Sequence, residues 1–226
     1  MKLYQLTTIV SLFLLCFFLE GQAQSLHIMN AYRHYKFKAA TNYHDLLFLV
    51  RNSLDKKVEG DAYLMDWEGA LLFVDDDEVY SVSARYRVLD DEFQIDLNGQ
   101  TKAIYAHLVK GIVFKDRIFV SGTELRSDGQ LNGFYELLVN GDRQLLKKYT
   151  VTQKVRKDGV TEIGKKTVSY HFRSQTSFVE AIADYHQQPH VIFEDHQKVA
   201  KLYWKSNHLN IKKEADLRQY FEYFNR

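Results

Sequence analysis

The chain has 226 residues, with 30 Lys or Arg against 29 Asp or Glu and a net charge of +1. The two signs are interspersed, so the basic footprint of a nucleic-acid binder is missing and nucleic acid is not an expected partner. Tyr and Phe number 15 each, ample for a large core, and the one proline, Pro189, leaves no Pro-rich linker or recognition segment.

Lys2 followed by the apolar run Leu12, Phe13, Leu14, Leu15, Cys16, Phe17, Phe18 and Leu19, then Gly21-Gln22-Ala23, has the order of a secretory signal peptide over residues 1–23. Glu20 and Gln22 end the run short of the ~20 apolar residues an anchor needs. Cys16 is a poor lipidation site, with bulky Leu15 before it and Phe17-Phe18-Leu19 after it. Cleavage would leave a mature chain from about Gln24, placed in the periplasm or outside the cell. That chain has no cysteine, hence no disulfide, no Cys-ligated zinc and no thiol nucleophile. No later segment is long and apolar enough to span a bilayer.

Residues 24–60 form an N-terminal segment in which Leu46, Leu47, Val50 and Leu54 predict a short amphipathic helix within 43–54. Over 61–174 the apolar period becomes two: Tyr80, Val82, Ala84, Tyr86 and Val88; Phe93, Ile95 and Leu97; Val168, Tyr170 and Phe172. Turn signals separate the runs at Asp75-Asp76-Asp77, Asp90-Asp91, Asn98-Gly99, Lys115-Asp116, Ser127-Asp128-Gly129, Asn140-Gly141 and Asp158-Gly159. These predict an antiparallel meander, curled into a barrel-like sheet or folded as a sandwich. Over 175–226 the period turns helical, predicting about three helices packed on the sheet. The first carries Phe178, Ala181, Ile182 and Tyr185, with Thr176 or Ser177 as N-cap. After Pro189 come a second with the stripe Val199, Leu202 and Tyr203, and a third over Lys213–Phe224. The fold class is α+β.

The stretches Gly60-Asp61-Ala62-Tyr63-Leu64, Ala84-Arg85-Tyr86-Arg87-Val88, Gly133-Phe134-Tyr135-Glu136-Leu137-Leu138, Leu145-Leu146-Lys147-Lys148-Tyr149, Asn207-His208-Leu209 and Tyr223-Phe224-Asn225 resemble a family of uncharacterised exported proteins of Bacteroidota. The resemblance runs from Gly60 to the C-terminus. It implies export to the envelope of such a bacterium and, since the family has no assigned activity, implies no site.

Catalytic fingerprints are missing from the sequence: there is no G-x-S-x-G, P-loop, G-x-G-x-x-G, H-E-x-x-H or EF-hand pattern. Asp75-Asp76-Asp77-Glu78 and Asp90-Asp91-Glu92 read as solvated hairpins before they read as Ca²⁺ sites, because neighbouring carboxylates cannot converge without a looping backbone. His186, His190 and Glu194 recur every four residues, with His196 beside them. Pro189 breaks the helix that would stack them, so they read first as surface side chains and only second as metal ligands. No cofactor is expected. Arg85 and Arg87 alternate with Tyr86 and suit either cross-strand pairing or an anionic partner. Trp204, beside the apolar stripe, is a candidate contact. The expectation is a non-catalytic binding or structural component of the envelope, whose partner is an envelope protein or another envelope component. The alternatives are a carrier of a small apolar ligand within a curled sheet and a hydrolase with dispersed catalytic residues.

Overall fold

A computed structural model describes residues 37–39, 46–53, 57–74, 78–122, 133–174 and 179–225. Its strands are β1 (Phe37–Ala39), β2 (Val50–Asn52), β3 (Val58–Glu59), β4 (Glu68–Phe73), β5 (Val79–Arg87), β6 (Glu92–Leu97), β7 (Gln100–Ile104), β8 (Gly111–Val113), β9 (Ile118–Ser121), β10 (Phe134–Val139), β11 (Arg143–Val155), β12 (Thr161–Ser174) and β13 (Glu180–Ala181). Two α-helices follow, α1 (Gln197–Ser206) and α2 (Glu214–Phe224). The strands join one mostly antiparallel sheet in the order β13-β12-β11-β10-β9-β8-β4-β5-β6-β7-β2. β1 adds to β5, and β3 to β12, in parallel.

The tight turns are where the sequence puts them. Asn98 and Gly99 have φ of 53° and 77°, the pair of positive angles that a two-residue hairpin needs to follow the strand twist. The expected meander, however, is interrupted once. After β7 the chain returns past β6 and β5 to lay β8 beside β4. Four inter-strand spacings in a flat sheet amount to ~19 Å, about the limit that six extended residues can span. The link 105–110 spends three of its residues in a 3-10 turn, Ala106–Leu108, which leaves almost no slack across a flat sheet and suits a curled one. The result is a half-barrel.

Inside the curl, alternate side chains of β4–β6 and β8–β10 meet in an aromatic core. Phe93 lies 4.8 Å from Tyr86, 5.0 Å from Phe119 and 4.8 Å from Phe134, ring centre to ring centre, and all four rings are buried. A second core joins Leu138, Leu145 and Phe172 of the sheet to Ile182, Ile192, Phe193, Ala200, Leu217, Tyr220 and Phe221. The helical layer therefore packs on β10–β12.

Two expectations are corrected, and a third is met only at its edge. Of the N-terminal helix expected within 43–54, Leu46 is α-helical, a 3-10 turn at Leu47–Leu49 follows and runs into β2, and residues 43–45 and 54 lie outside the described residues. Val50 pairs with Ile104 in the sheet, and buried Leu46 and Leu49 join the aromatic core. The first of the three C-terminal helices is absent among the described residues. Glu180 and Ala181 pair with β12 as an edge strand, then Ile182–Tyr185 makes one 3-10 turn; the N-cap candidates Thr176 and Ser177 lie outside the described residues. Gln188, held out of the helical region before Pro189 with φ −137° and ψ 60°, stops any continuation. Finally, the expected stripe of α1 faces the core only in part. Ala200 is buried and Tyr203 packs against the second core, whereas Val199 and Leu202 are 51% and 69% exposed.

A cationic groove at the helical layer as candidate site

The carboxylates of the acidic trio at the β5–β6 turn are engaged by cationic and hydroxyl side chains of the sheet. Asp90 pairs with Arg87 at 2.9 Å, and both side chains are buried. Asp91, at φ 54°, accepts from the Tyr86 hydroxyl, the Lys148 ammonium and the Phe134 amide, so it gathers β5, β10 and β11. Gly133 is required there: a Cβ on it would fall 1.9 Å from the Asp91 carboxylate. Glu92, buried, accepts from Arg51 at 2.7 Å and Ser53 at 2.9 Å. Those donors reach over β7 because the residue between, Ala103, is small; it pairs with Arg51 on one side and Gln94 on the other. Of the first acidic cluster, Asp75–Asp77 lie outside the described residues, and Glu78 accepts from the Tyr80 hydroxyl.

Arg85 is held as firmly. Its guanidinium lies between the rings of Tyr63 at 3.9 Å and Trp67 at 4.4 Å, and donates to Gln94 and the Tyr63 hydroxyl, each at 2.9 Å. Arg87 is buried against Asp90. Both arginines therefore sit in cross-strand and turn contacts of the sheet.

Two polar clusters sit where the helices meet β10–β12. Glu214 of α2 accepts from Lys147 at 2.9 Å, Arg218 at 3.0 Å and the Tyr170 hydroxyl at 3.3 Å. Burial raises its carboxyl pKa, but the bonds from Lys147 and Arg218 outweigh that and hold it below the ordinary value. His171 stands two residues from Ser169 along β12, with Ser169 Oγ 2.9 Å from its Nε2 and its ring edge-on to Tyr135 at 5.3 Å. Burial, reinforced by Lys148 and opposed by Asp184, pushes the imidazole down to about 4. Among the described residues no carboxylate hydrogen-bonds its other nitrogen, so the pair lacks the third group that orients a catalytic histidine.

A groove of about 440 Å³ lies where the two 3-10 segments meet α1. Pro189 makes the bend, and His186, His190, Lys201, Trp204 and Lys205 line it together with Gln187 and Gln188; no lining residue is acidic. The indole of Trp204 is fixed edge-on against buried Tyr220 at 4.9 Å. Among the described residues the ammonium groups of Lys201 and Lys205 have no hydrogen-bond or ion-pair partner. The sequence thus singled out three of these residues, His186, His190 and Trp204, for two unrelated reasons, and the fold brings them together. It missed Lys201 and Lys205. Their signal is a spacing of four on the helix that also carries Trp204.

His196 turns the other way, its ring 6.3 Å from that of Phe224, and Glu194 is exposed outside the groove. Among the described residues no three His, Asp or Glu side chains stand where they could hold a metal ion. No described helix is long and apolar enough to cross a membrane.

Fold and groove together define an α+β protein with a curled sheet and a cationic, tryptophan-walled groove on its helical layer. No family model, curated protein or solved structure matches the chain.

Proposed function

We propose that this chain is an exported, non-catalytic binding protein of the bacterial envelope, and that it binds a small anionic group in the groove of the helical layer. The observation that carries this reading is the lining: two lysines without ion-pair partners and two histidines around a fixed indole, with no carboxylate among them. Ammonium groups attract phosphate or carboxylate, and the indole face suits the less polar body of the same ligand. Export rests on the N-terminal pattern of residues 1–23. The carrier alternative is weakened by the rings of Tyr86, Phe93, Phe119 and Phe134, which meet one another inside the curl.

The test is a fluorescence titration with Trp67 replaced by Phe, which leaves Trp204 as the one indole. Inorganic phosphate, glucose 6-phosphate and glucuronate are the probes. Saturable change with at least one of them, weakened about tenfold or more when Lys201 and Lys205 are both Gln, is expected. A flat titration with all three overturns the reading.

A further inference from the structure

α1 presents two different faces, and the groove uses only one. Going round the helix at about 100° per residue, Ala200 points into the core, Trp204 and then Lys201 and Lys205 border the groove, and Lys198, Leu202 and Val199 follow on the outside. Leu202 is 69% and Val199 51% exposed. Tyr203, next to Val199 on the helix, stacks on Tyr223 with ring centres 4.0 Å apart, and Tyr223 is itself exposed. A ridge of apolar and aromatic side chains therefore runs along the outside of the helical layer. Lysines 198, 201 and 205 flank it on the side toward the groove, and none has an ion-pair partner among the described residues. The exposed acids Glu194 and Asp195 lie before the start of the helix and do not line the groove.

We infer that α1 lies against an anionic lipid surface, with Leu202 and Val199 entering the acyl boundary and the groove receiving a lipid phosphate. An apolar ridge alone would not name its occupant. A ridge bordered by three lysines, which opens at once onto a cationic groove, matches the layering of an anionic bilayer, where charge lies immediately above hydrocarbon. The inference rests on the anion-binding reading of the groove and names the source of the anion.

The experiment uses the chain from Gln24, which keeps every described element and removes the apolar run 12–19 that would itself enter a bilayer. Sedimentation with vesicles of phosphatidylcholine alone is compared with vesicles containing phosphatidylglycerol. Binding only to the anionic vesicles, weaker in high salt, is expected. Leu202→Ser should weaken it about tenfold and each of Lys201→Gln and Lys205→Gln about fivefold. Thermal unfolding of each variant shows that it is folded. Equal binding to both vesicle types, or binding unaffected by Leu202→Ser and the lysine changes, overturns the inference. Soluble phosphate that titrates Trp204 while no vesicle is bound overturns it too and leaves the groove reading standing. Vesicle binding of the expected pattern without soluble-anion binding upholds the lipid surface and removes the free-anion reading.

Discussion

Asp91 joins more of the molecule than any feature of its own sequence announces. Three donors from β5, β10 and β11 converge on a carboxylate whose backbone is in the left-handed region. Replacing it with Ala removes the acceptor of a buried Tyr86 hydroxyl and imposes an unfavourable φ, so Asp91→Ala should cost about 3 kcal/mol. Asp91→Asn, which tolerates that φ and still accepts, should cost about half as much. The urea midpoints of the two variants measure this; equal loss would show that backbone conformation contributes nothing. Tyr86 itself is held protonated by burial and by Asp91, its hydroxyl pushed well above the ordinary phenol range.

At the scale of elements, the two α-helices separate what periodicity can and cannot reveal. In α2 the spacing of Leu217, Tyr220, Phe221 and Phe224 marks the inward face, and the first three are buried while Phe224 packs on them partly buried. In α1 the apolar stripe Val199-Leu202-Tyr203 marks the inward face only at Tyr203; the face that enters the core also carries Ala200, too small to stand out, while Val199 and Leu202 are exposed. Leu217→Ala should therefore lose about 2–5 kcal/mol, and Leu202→Ser should stay within about 0.5 kcal/mol of the parent; chemical denaturation distinguishes them. Strand alternation and the Asn98-Gly99 and Asp158-Gly159 turns were legible because local geometry dictates them. The return of β8 to β4 was not, because it depends on the curl of the whole sheet. Likewise Glu180-Ala181 is a strand only because β12 offers an edge. The site was legible in part: three of its side chains carry conspicuous chemistry, but their convergence needs the bend at Pro189 and the orientation of α1.

For the whole molecule, the neutral state of His171 sets an acid limit. Its folded pKa of about 4 lies below the ordinary 6.5, so the unfolded chain takes up a proton first as the pH falls. Stability is fully present above pH 6.5 and is lost progressively toward pH 4. The loss is about 3 kcal/mol in full and roughly half that for a partly open site. His171→Phe should flatten this part of the pH–stability curve, read from thermal midpoints between those limits. Glu214 works in the same direction at lower pH: its stabilisation is present above the ordinary carboxylate pKa and fades as pH falls through its lowered value. The parallel pairing of β3 with β12 has a temporal consequence. Val58 meets Thr161, and Glu59 meets Glu162, so a stretch made early in synthesis has no sheet neighbour on that side until the hairpin of β11 and β12 exists. Contacts so distant in sequence close late. In pulsed hydrogen exchange during refolding, the amides of β6 and β7 around Asn98-Gly99 should gain protection before the Thr161 amide, which donates to Lys57. The first part of the sheet must wait for the last strands to secure its end.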